Sequence, residues 1–135
     1  MFLIYILQIT KQHLKQLFPN LEEALYEELL LHGTVKEIKA GETLLRVGQT
    51  IRSTMLLLEG SIKLYREDDE GGEFFIYNLN AGQACSLSLV CSIKHQTSEV
   101  LAKALTDVVI LSIPLNYMDK WMQQYKSWYQ FVIMS

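Results

Sequence analysis

Four consecutive acidic residues, Glu67–Glu70, are the densest group of side chains that could do chemistry, because clustered carboxylates are the ligands that Ca²⁺ prefers. Gly71 and Gly72 follow directly, and apolar runs flank the cluster on both sides. Acidic residues and glycines between two strand-like runs are typical of a hairpin loop. We therefore predict a solvated hairpin over Asp68–Gly72, with weak calcium binding as the lesser alternative.

Hydroxyl and thiol nucleophiles gather in one segment, but the sequence pattern lacks the groups that would activate them. Ser86 and Ser88 have no paired histidine and no surrounding G-x-S-x-G, so the pattern does not predict a hydrolase. Cys85 and Cys91 are six residues apart, which is neither a CxxC pair nor part of a zinc-binding set. Two reduced thiols are the favoured interpretation, and a redox-sensing pair is the minor alternative.

The three histidines, His13, His32 and His95, are far apart in sequence, and no H-x-H pair occurs. A barrel that binds a metal needs clustered histidines with a carboxylate. No cysteine precedes Cys85, so an N-terminal iron–sulfur site is not predicted either. The sequence therefore predicts no metal, no cofactor and no enzymatic activity.

The composition indicates one globular domain. The chain has 135 residues, of which 50% are hydrophobic and 20% are charged, and its formal net charge is -3. A length of this order fits one hydrophobic core. A domain that itself binds nucleic acid usually has a basic face, and this composition does not suggest one.

The first residues, Met1–Leu7, form a short apolar segment. The segment has no basic region before it and no small-residue cleavage site, so a signal peptide is not predicted. It is also far shorter than the roughly 20 apolar residues that cross a bilayer. We expect it to pack on the domain or on a partner, in a cytoplasmic protein that does not contact a membrane.

Helices are predicted on both sides of a strand-rich region. Asn20 as an N-cap, with Glu23 in the first turn, predicts a helix over Leu21–Leu31 that Gly33 ends. A shorter helix is predicted over Thr10–Phe18. After the strands, apolar residues at helical spacing predict a helix over Leu115–Tyr125.

Between the helices, short apolar runs alternate with turn residues, which is typical of an antiparallel barrel or sandwich. The expected strands are Val35–Ile38, Thr43–Val47, Thr54–Leu58, Ser61–Tyr65, Phe74–Leu79, Ala84–Val90, Val100–Ala104 and Val108–Ile113. Glycines are expected at the corners, where a positive φ is required; these are Gly41, Gly48, Gly60 and Gly82. The predicted fold class is mainly β, a jelly roll or double-stranded β-helix with flanking α-helices. Residues 1–33 form the N-terminal helices, residues 34–113 the β-roll, and residues 114–135 a C-terminal helical part.

The C-terminal part holds a second helix start. Ser127 and Gln130 form an S-x-x-Q capping box, which predicts a helix beginning at Ser127. Trp128, Phe131 and Val132 begin an apolar stripe on this helix. Only about two turns follow, counting 3.6 residues per turn, and this is typical of a helix that continues in a longer chain.

Four segments together resemble the cyclic nucleotide-binding domains of Crp/Fnr-type bacterial transcription regulators. Ile38–Gln49 is similar to the family's first glycine-containing strand pair. Met55–Tyr65 is similar to its Gly-centred hairpin, Asn78–Gln83 to its "LnpGd" turn, and Val108–Pro114 to its last strand. The four matches occur in the family's order, so the resemblance implies a β-roll effector domain.

The resemblance also implies a ligand site, the phosphate-binding cassette. In the family a Glu on a short helix binds the ribose hydroxyl, and an Arg about ten residues later neutralises the cyclic phosphate. The cassette here falls on Ser86, Leu87 and Ser88 and on Thr97 and Ser98, with Leu87 at the Glu position and Thr97 at the Arg position. A phosphate without its cation loses about 1.5–3 kcal/mol. We therefore expect weak cyclic AMP binding or none, and a less charged effector at these five positions.

The resemblance finally implies a role and an assembly. It implies the effector-sensing half of a regulator that contacts DNA only through a C-terminal domain absent from this chain. It also implies a homodimer joined along the last helix through Trp128, Phe131 and Val132. Two alternatives remain open: a cyclic-nucleotide sensor with an altered cassette, and a β-roll without ligand that serves dimerisation or protein interaction.

Overall fold

The computed structural model describes residues 11–84 and 97–134. In this part of the chain, antiparallel strands and flanking helices confirm the predicted fold class. Their bounds in chain order are α1 (Lys11–Leu17), α2 (Glu23–His32), β1 (Thr34–Ile38), β2 (Thr43–Leu45), β3 (Ser53–Glu59), β4 (Ser61–Glu67), β5 (Glu73–Asn80), β6 (Leu101–Ala104), β7 (Val108–Pro114), α3 (Leu115–Gln124) and α4 (Lys126–Met134). Most of the expected strand Ala84–Val90 lies outside the described residues.

Two antiparallel sheets form the β-roll. One has the strand order β1-β7-β3 and the other β2-β6-β4-β5. The centre of the first sheet is β7, whose residues Val108–Ile113 are all buried. A strand buried on both faces shows a continuous apolar run rather than an alternating pattern, which explains why residues 108–113 are almost entirely aliphatic.

The two faces of β7 belong to two different cores. Val108 and Ile110 face the space between the sheets, together with Leu57, Ile62 and Leu64. The alternate residues of β7 pack against the helices. This helical core includes Leu14, Leu25, Leu29, Leu111, Ile113, Trp121 and Trp128. The β-roll therefore carries the helices on the outer face of its three-stranded sheet.

Glycines occupy the corners as predicted, with positive φ at Gly41, Gly48, Gly60 and Gly82. Gly60, between β3 and β4, has an additional constraint. A Cβ atom there would lie 2.4 Å from the Asp107 backbone oxygen and 2.7 Å from the Val108 side chain. Gly41, with a similar φ of 87°, has nothing within 4 Å of that position.

The predicted helix caps are wrong, although the helices are close to the predicted places. The N-cap of α2 is Glu22, with no side-chain cap bond of its own, so Asn20 does not cap this helix. Ser127 lies inside the first turn of α4, which begins at Lys126, so no S-x-x-Q capping box starts it. The Glu22 carboxylate instead accepts a hydrogen bond from the Ser127 N–H at 3.1 Å.

The hairpin between β4 and β5 is confirmed, and the strand pair contains a bulge. The Asp68 carboxylate accepts hydrogen bonds from the backbone N–H groups of Glu70 and Gly72, at 3.0 and 2.7 Å, and so holds the loop. The register shifts between Leu64 and Tyr65, which is a bulge. A bulge changes the face to which the following residues point, and Phe74 is 51% exposed.

We predict that Gly60→Ala destabilises the protein more than Gly41→Ala does. Both variants place a β-carbon at positive φ, which costs about 1–2 kcal/mol. Only Gly60→Ala also forces the Asp107 backbone to move, and we expect a total loss of about 3 kcal/mol or more. Urea unfolding of both variants measures the difference. Equal losses would contradict the close approach at Gly60.

Candidate functional site

The positions that the resemblance assigned to a ligand divide into two groups. Ser86, Leu87 and Ser88 lie outside the described residues. Thr97 and Ser98 are described and lie beside the loop that precedes β3, where Thr97 forms an isolated antiparallel bridge with Thr50. Thr97 is exposed, whereas Ser98 is 2% exposed.

The Ser98 hydroxyl is occupied by the chain's own backbone. It donates a hydrogen bond to the Val100 carbonyl oxygen at 2.8 Å and accepts one from the Val100 N–H at 3.1 Å. Its backbone N–H and carbonyl also bond to the loop at Gln49 and Gly48. These contacts make Ser98 a structural residue that fixes the entry to β6.

The centre of the described space between the two sheets is filled by side chains. Met55, Leu57, Leu64, Leu79 and Ile110 are among the residues around a void of only about 10 Å³. Such a volume holds at most one water molecule. A larger cavity of about 370 Å³ lies at the end of the roll beside Thr50, where Leu45, Ile51 and Met55 are among its lining residues. The centre of the described interior therefore has no room for a small molecule, whereas this end, next to Thr97, does.

A large groove lies outside the sheets, and the sequence pattern did not predict it. Its volume is about 810 Å³, within the range of small-molecule sites. Three segments that are distant in sequence form it: Leu17–Leu21 after α1, the end of β5 with the following turn, and α4. Because no local motif marks such a junction, only the three-dimensional arrangement reveals it.

Helix α4 forms one wall of this groove and is held at its first turn by α2. The Glu22 N–H donates to the Ser127 hydroxyl at 2.9 Å, and that hydroxyl donates back to the Glu22 carboxylate at 2.9 Å. With the bond from the Ser127 N–H, these contacts satisfy donors at the start of both helices. Helices α2 and α4 therefore share one reciprocal cap.

Aromatic side chains fix α4 against the rest of the helical core. Trp121 of α3 meets Trp128 of α4 edge to face at 5.6 Å, and Trp128 stacks on Phe131 at 5.5 Å. Phe131 in turn meets Phe18 edge to face at 5.7 Å, at the groove. Trp128 and Val132, both proposed for a dimer contact, are 0% and 6% exposed in the chain's own core.

Tyr125 is the single extended residue between α3 and α4. Its side chain is buried, and burial, followed by the nearby carboxylates of Glu28, Glu22 and Glu27, raises the pKa of its phenol. The phenol therefore stays neutral across the physiological range.

Two kinds of feature are not found in the described part of the chain. No group of three His, Cys, Asp or Glu side chains in residues 11–84 and 97–134 is placed to hold a metal ion. None of the helices in these ranges is long and apolar enough to cross a membrane.

Comparison with known proteins gives one family. The sequence model of the cyclic nucleotide-binding domain matches residues 35–125. No curated protein sequence matches the chain.

Three solved structures are similar in fold. A protein from Silicibacter pomeroyi, assigned as a cAMP-binding regulatory protein, has 19% identity and a TM-score of 0.74 over 92% of this chain. The sensor domain of the transcriptional regulator DNR from Pseudomonas aeruginosa has 18% identity and a TM-score of 0.75, covering 92% of this chain and 83% of that one. A transcriptional regulator from Thermotoga maritima has 22% identity and a TM-score of 0.69, covering 80% and 83%. The chain spans only 57% of the Silicibacter pomeroyi protein.

We predict that Ser98→Ala destabilises the fold and that Thr97→Ala does not. The first change leaves the buried backbone groups of Val100 without a partner, which costs about 1–3 kcal/mol. The second removes an exposed hydroxyl and is expected to stay within about 0.5 kcal/mol. Chemical denaturation of the two variants tests this pair. An unchanged midpoint for Ser98→Ala would remove the structural role assigned to Ser98.

Proposed function

Because the chain belongs to the cyclic nucleotide-binding domain family, we propose that it is the effector-sensing domain of a Crp/Fnr-type transcription regulator. The family match over residues 35–125 is the observation that carries the proposal. The fold shared with the sensor domain of DNR supports it. The longer structures supply a precedent for further chain beyond such a domain, and we propose that a C-terminal domain of this regulator contacts DNA in the cytoplasm.

The effector of this domain is a small molecule other than a cyclic nucleotide held in the family's usual way. Leu87 and Thr97 stand where the family's Glu and Arg would bind ribose and phosphate. The Ser98 hydroxyl is already bonded to Val100. A cyclic phosphate placed here would lose its charge-assisted partner.

Helix α4 is the element that transmits the signal in this proposal. It forms a wall of the groove and is capped by α2, so a ligand in the groove contacts α4 directly. A ligand shifts a conformational equilibrium only through different contacts in the two states. The position of α4 relative to the roll is the variable that such contacts would change.

The assembly proposed is a homodimer joined along α4, as palindromic DNA sites match two-fold proteins. Trp128 and Val132 are committed to the core, so the surface left for a second chain must lie elsewhere on the helix. Tyr129 and Ile133, four residues apart, are 49% and 61% exposed and share one strip of α4. We assign the dimer contact to this strip, with the partly buried Phe131 beside it.

For cyclic nucleotides, we expect calorimetry with cyclic AMP and cyclic GMP to give a Kd of about 1 mM or weaker. The double variant Leu87→Glu with Thr97→Arg restores the family's two ligand groups, and we expect it to gain at least about tenfold in affinity. Either single variant serves as the control. Binding near 1 µM by the unchanged chain would favour the altered-cassette sensor instead.

For assembly, we expect sedimentation velocity to show a dimer at protein concentrations of tens of micromolar. A dissociation constant in this range corresponds to a free energy of association of about 6 kcal/mol. Ile133→Glu places a charge on the Tyr129/Ile133 strip and should weaken the dimer at least tenfold. Leu31→Glu is the matched control, because Leu31 is 76% exposed and lies on α2. A monomer throughout this concentration range would contradict the dimer, and equal effects of both variants would contradict the assigned strip.

A further inference from the structure

We infer that the groove beside α4 is a binding site for an uncharged amphipathic molecule, with an apolar chain or ring and hydroxyl, carbonyl or amide groups. This inference rests on the proposed sensing function and names the chemical class and position of the effector. The site is outside the β-roll interior and apart from Thr97 and Ser98.

The charge of the lining decides the class of ligand. One residue in five of the chain is charged. However, none of the described residues that line the groove is Asp, Glu, Lys, Arg or His. An ionised group placed in a site without a counter-charge loses hydration that the site does not replace. A groove of this composition therefore favours neutral molecules over phosphates, carboxylates and ammonium ions.

Three polar side chains of the lining are amides with free capacity, whereas the Gln83 amide oxygen already accepts a hydrogen bond from the Asn80 N–H at 2.9 Å. Asn20, Asn78 and Gln130 line the groove, and none of the three side chains makes a hydrogen bond to another described residue. An amide offers two donors and a carbonyl acceptor. These groups can orient hydroxyl, carbonyl or amide substituents, since specificity in apolar pockets comes from a few placed polar groups.

The apolar body of the ligand has a preformed surface to contact. Phe18 and Phe131 meet edge to face at one side of the groove, and Leu17, Leu21 and Leu79 also line it. Phe131 is stacked on the fully buried Trp128, so its ring is held in place before any ligand binds. A preorganised contact of this kind costs little ordering entropy on binding.

Helix α4 presents one continuous face to such a ligand. Ser127, Gln130, Phe131 and Met134 are spaced at i, i+3, i+4 and i+7 and all line the groove. Tyr129 and Ile133, the strip assigned to the dimer, line the edge of the same groove. A ligand in the groove therefore contacts the roll and α4 together, and it reaches the strip assigned to the dimer.

Two fluorescent probes with the same aromatic framework test the charge preference. N-phenyl-1-naphthylamine is neutral, and 1-anilinonaphthalene-8-sulfonate is the same framework with one sulfonate. We expect the neutral probe to bind one per chain, at least about tenfold tighter than the sulfonate. Energy transfer from the core tryptophans reports its position, because Trp128 stacks on the groove residue Phe131.

Isosteric charge variants locate the site. Gln130→Glu converts one lining amide into a carboxylate, and Gln123→Glu makes the same change on α3 outside the groove. Asn20→Asp is the second lining variant, from a different wall. We expect Gln130→Glu and Asn20→Asp each to weaken the neutral probe at least about fivefold, and Gln123→Glu to leave it unchanged.

Three outcomes would overturn the inference. These are tighter binding of the sulfonate, equal effects of the lining and control variants, and loss of the neutral probe as the protein dimerises, which would show that a second copy occupies the groove. The proposed sensing function is tested separately, by the cyclic nucleotide titrations and the dimer measurement. The protein can dimerise through the Tyr129/Ile133 strip while the two probes bind with equal affinity. In that case the ligand class and its site are wrong, and the proposed sensing function is not affected.

Discussion

The contact between Trp121 and Trp128 holds the helical half of the molecule together. Both side chains are completely buried and meet edge to face at 5.6 Å, on either side of the extended residue Tyr125. Edge-to-face rings add about 0.5–1.5 kcal/mol to what burial alone provides. This contact fixes the angle between α3 and α4, and with it one wall of the groove. The groove therefore depends on packing in the core as well as on the residues that line it.

The same packing also bears on the apolar stripe of α4, for which the sequence pattern predicted a dimer contact. An apolar stripe at helical spacing predicts that a helix packs, but not what it packs against. Trp128 and Val132 face the chain's own core, whereas Tyr129 and Ile133 are exposed and line the groove. The nine residues of this helix therefore divide between the chain's own core and the wall of the groove.

The fold was predictable where its causes are local. The corner glycines require a positive φ, and the apolar run of β7 requires burial on both faces, so both could be recognised in the sequence. Caps were not predictable, because Glu22 caps a helix that begins 104 residues later. The bulge between β4 and β5 was not predictable either, because a bulge leaves no mark in an alternating pattern. The groove was not predictable for the same reason, because it joins three segments that are distant in sequence. The family's phosphate-binding cassette, by contrast, is a local motif and can be located in the sequence.

The reciprocal cap between Glu22 and Ser127 also has a consequence for the order in which the protein folds. Its partners are separated by 105 residues, so the contact closes most of the chain into one loop. Loop closure of this length is favourable only after the intervening strands have paired and brought the ends together. The docking of α4 is therefore a late event in folding. By the same reasoning, its detachment is an early event in unfolding. A helix that docks last can detach at a lower free energy than the sheets beneath it.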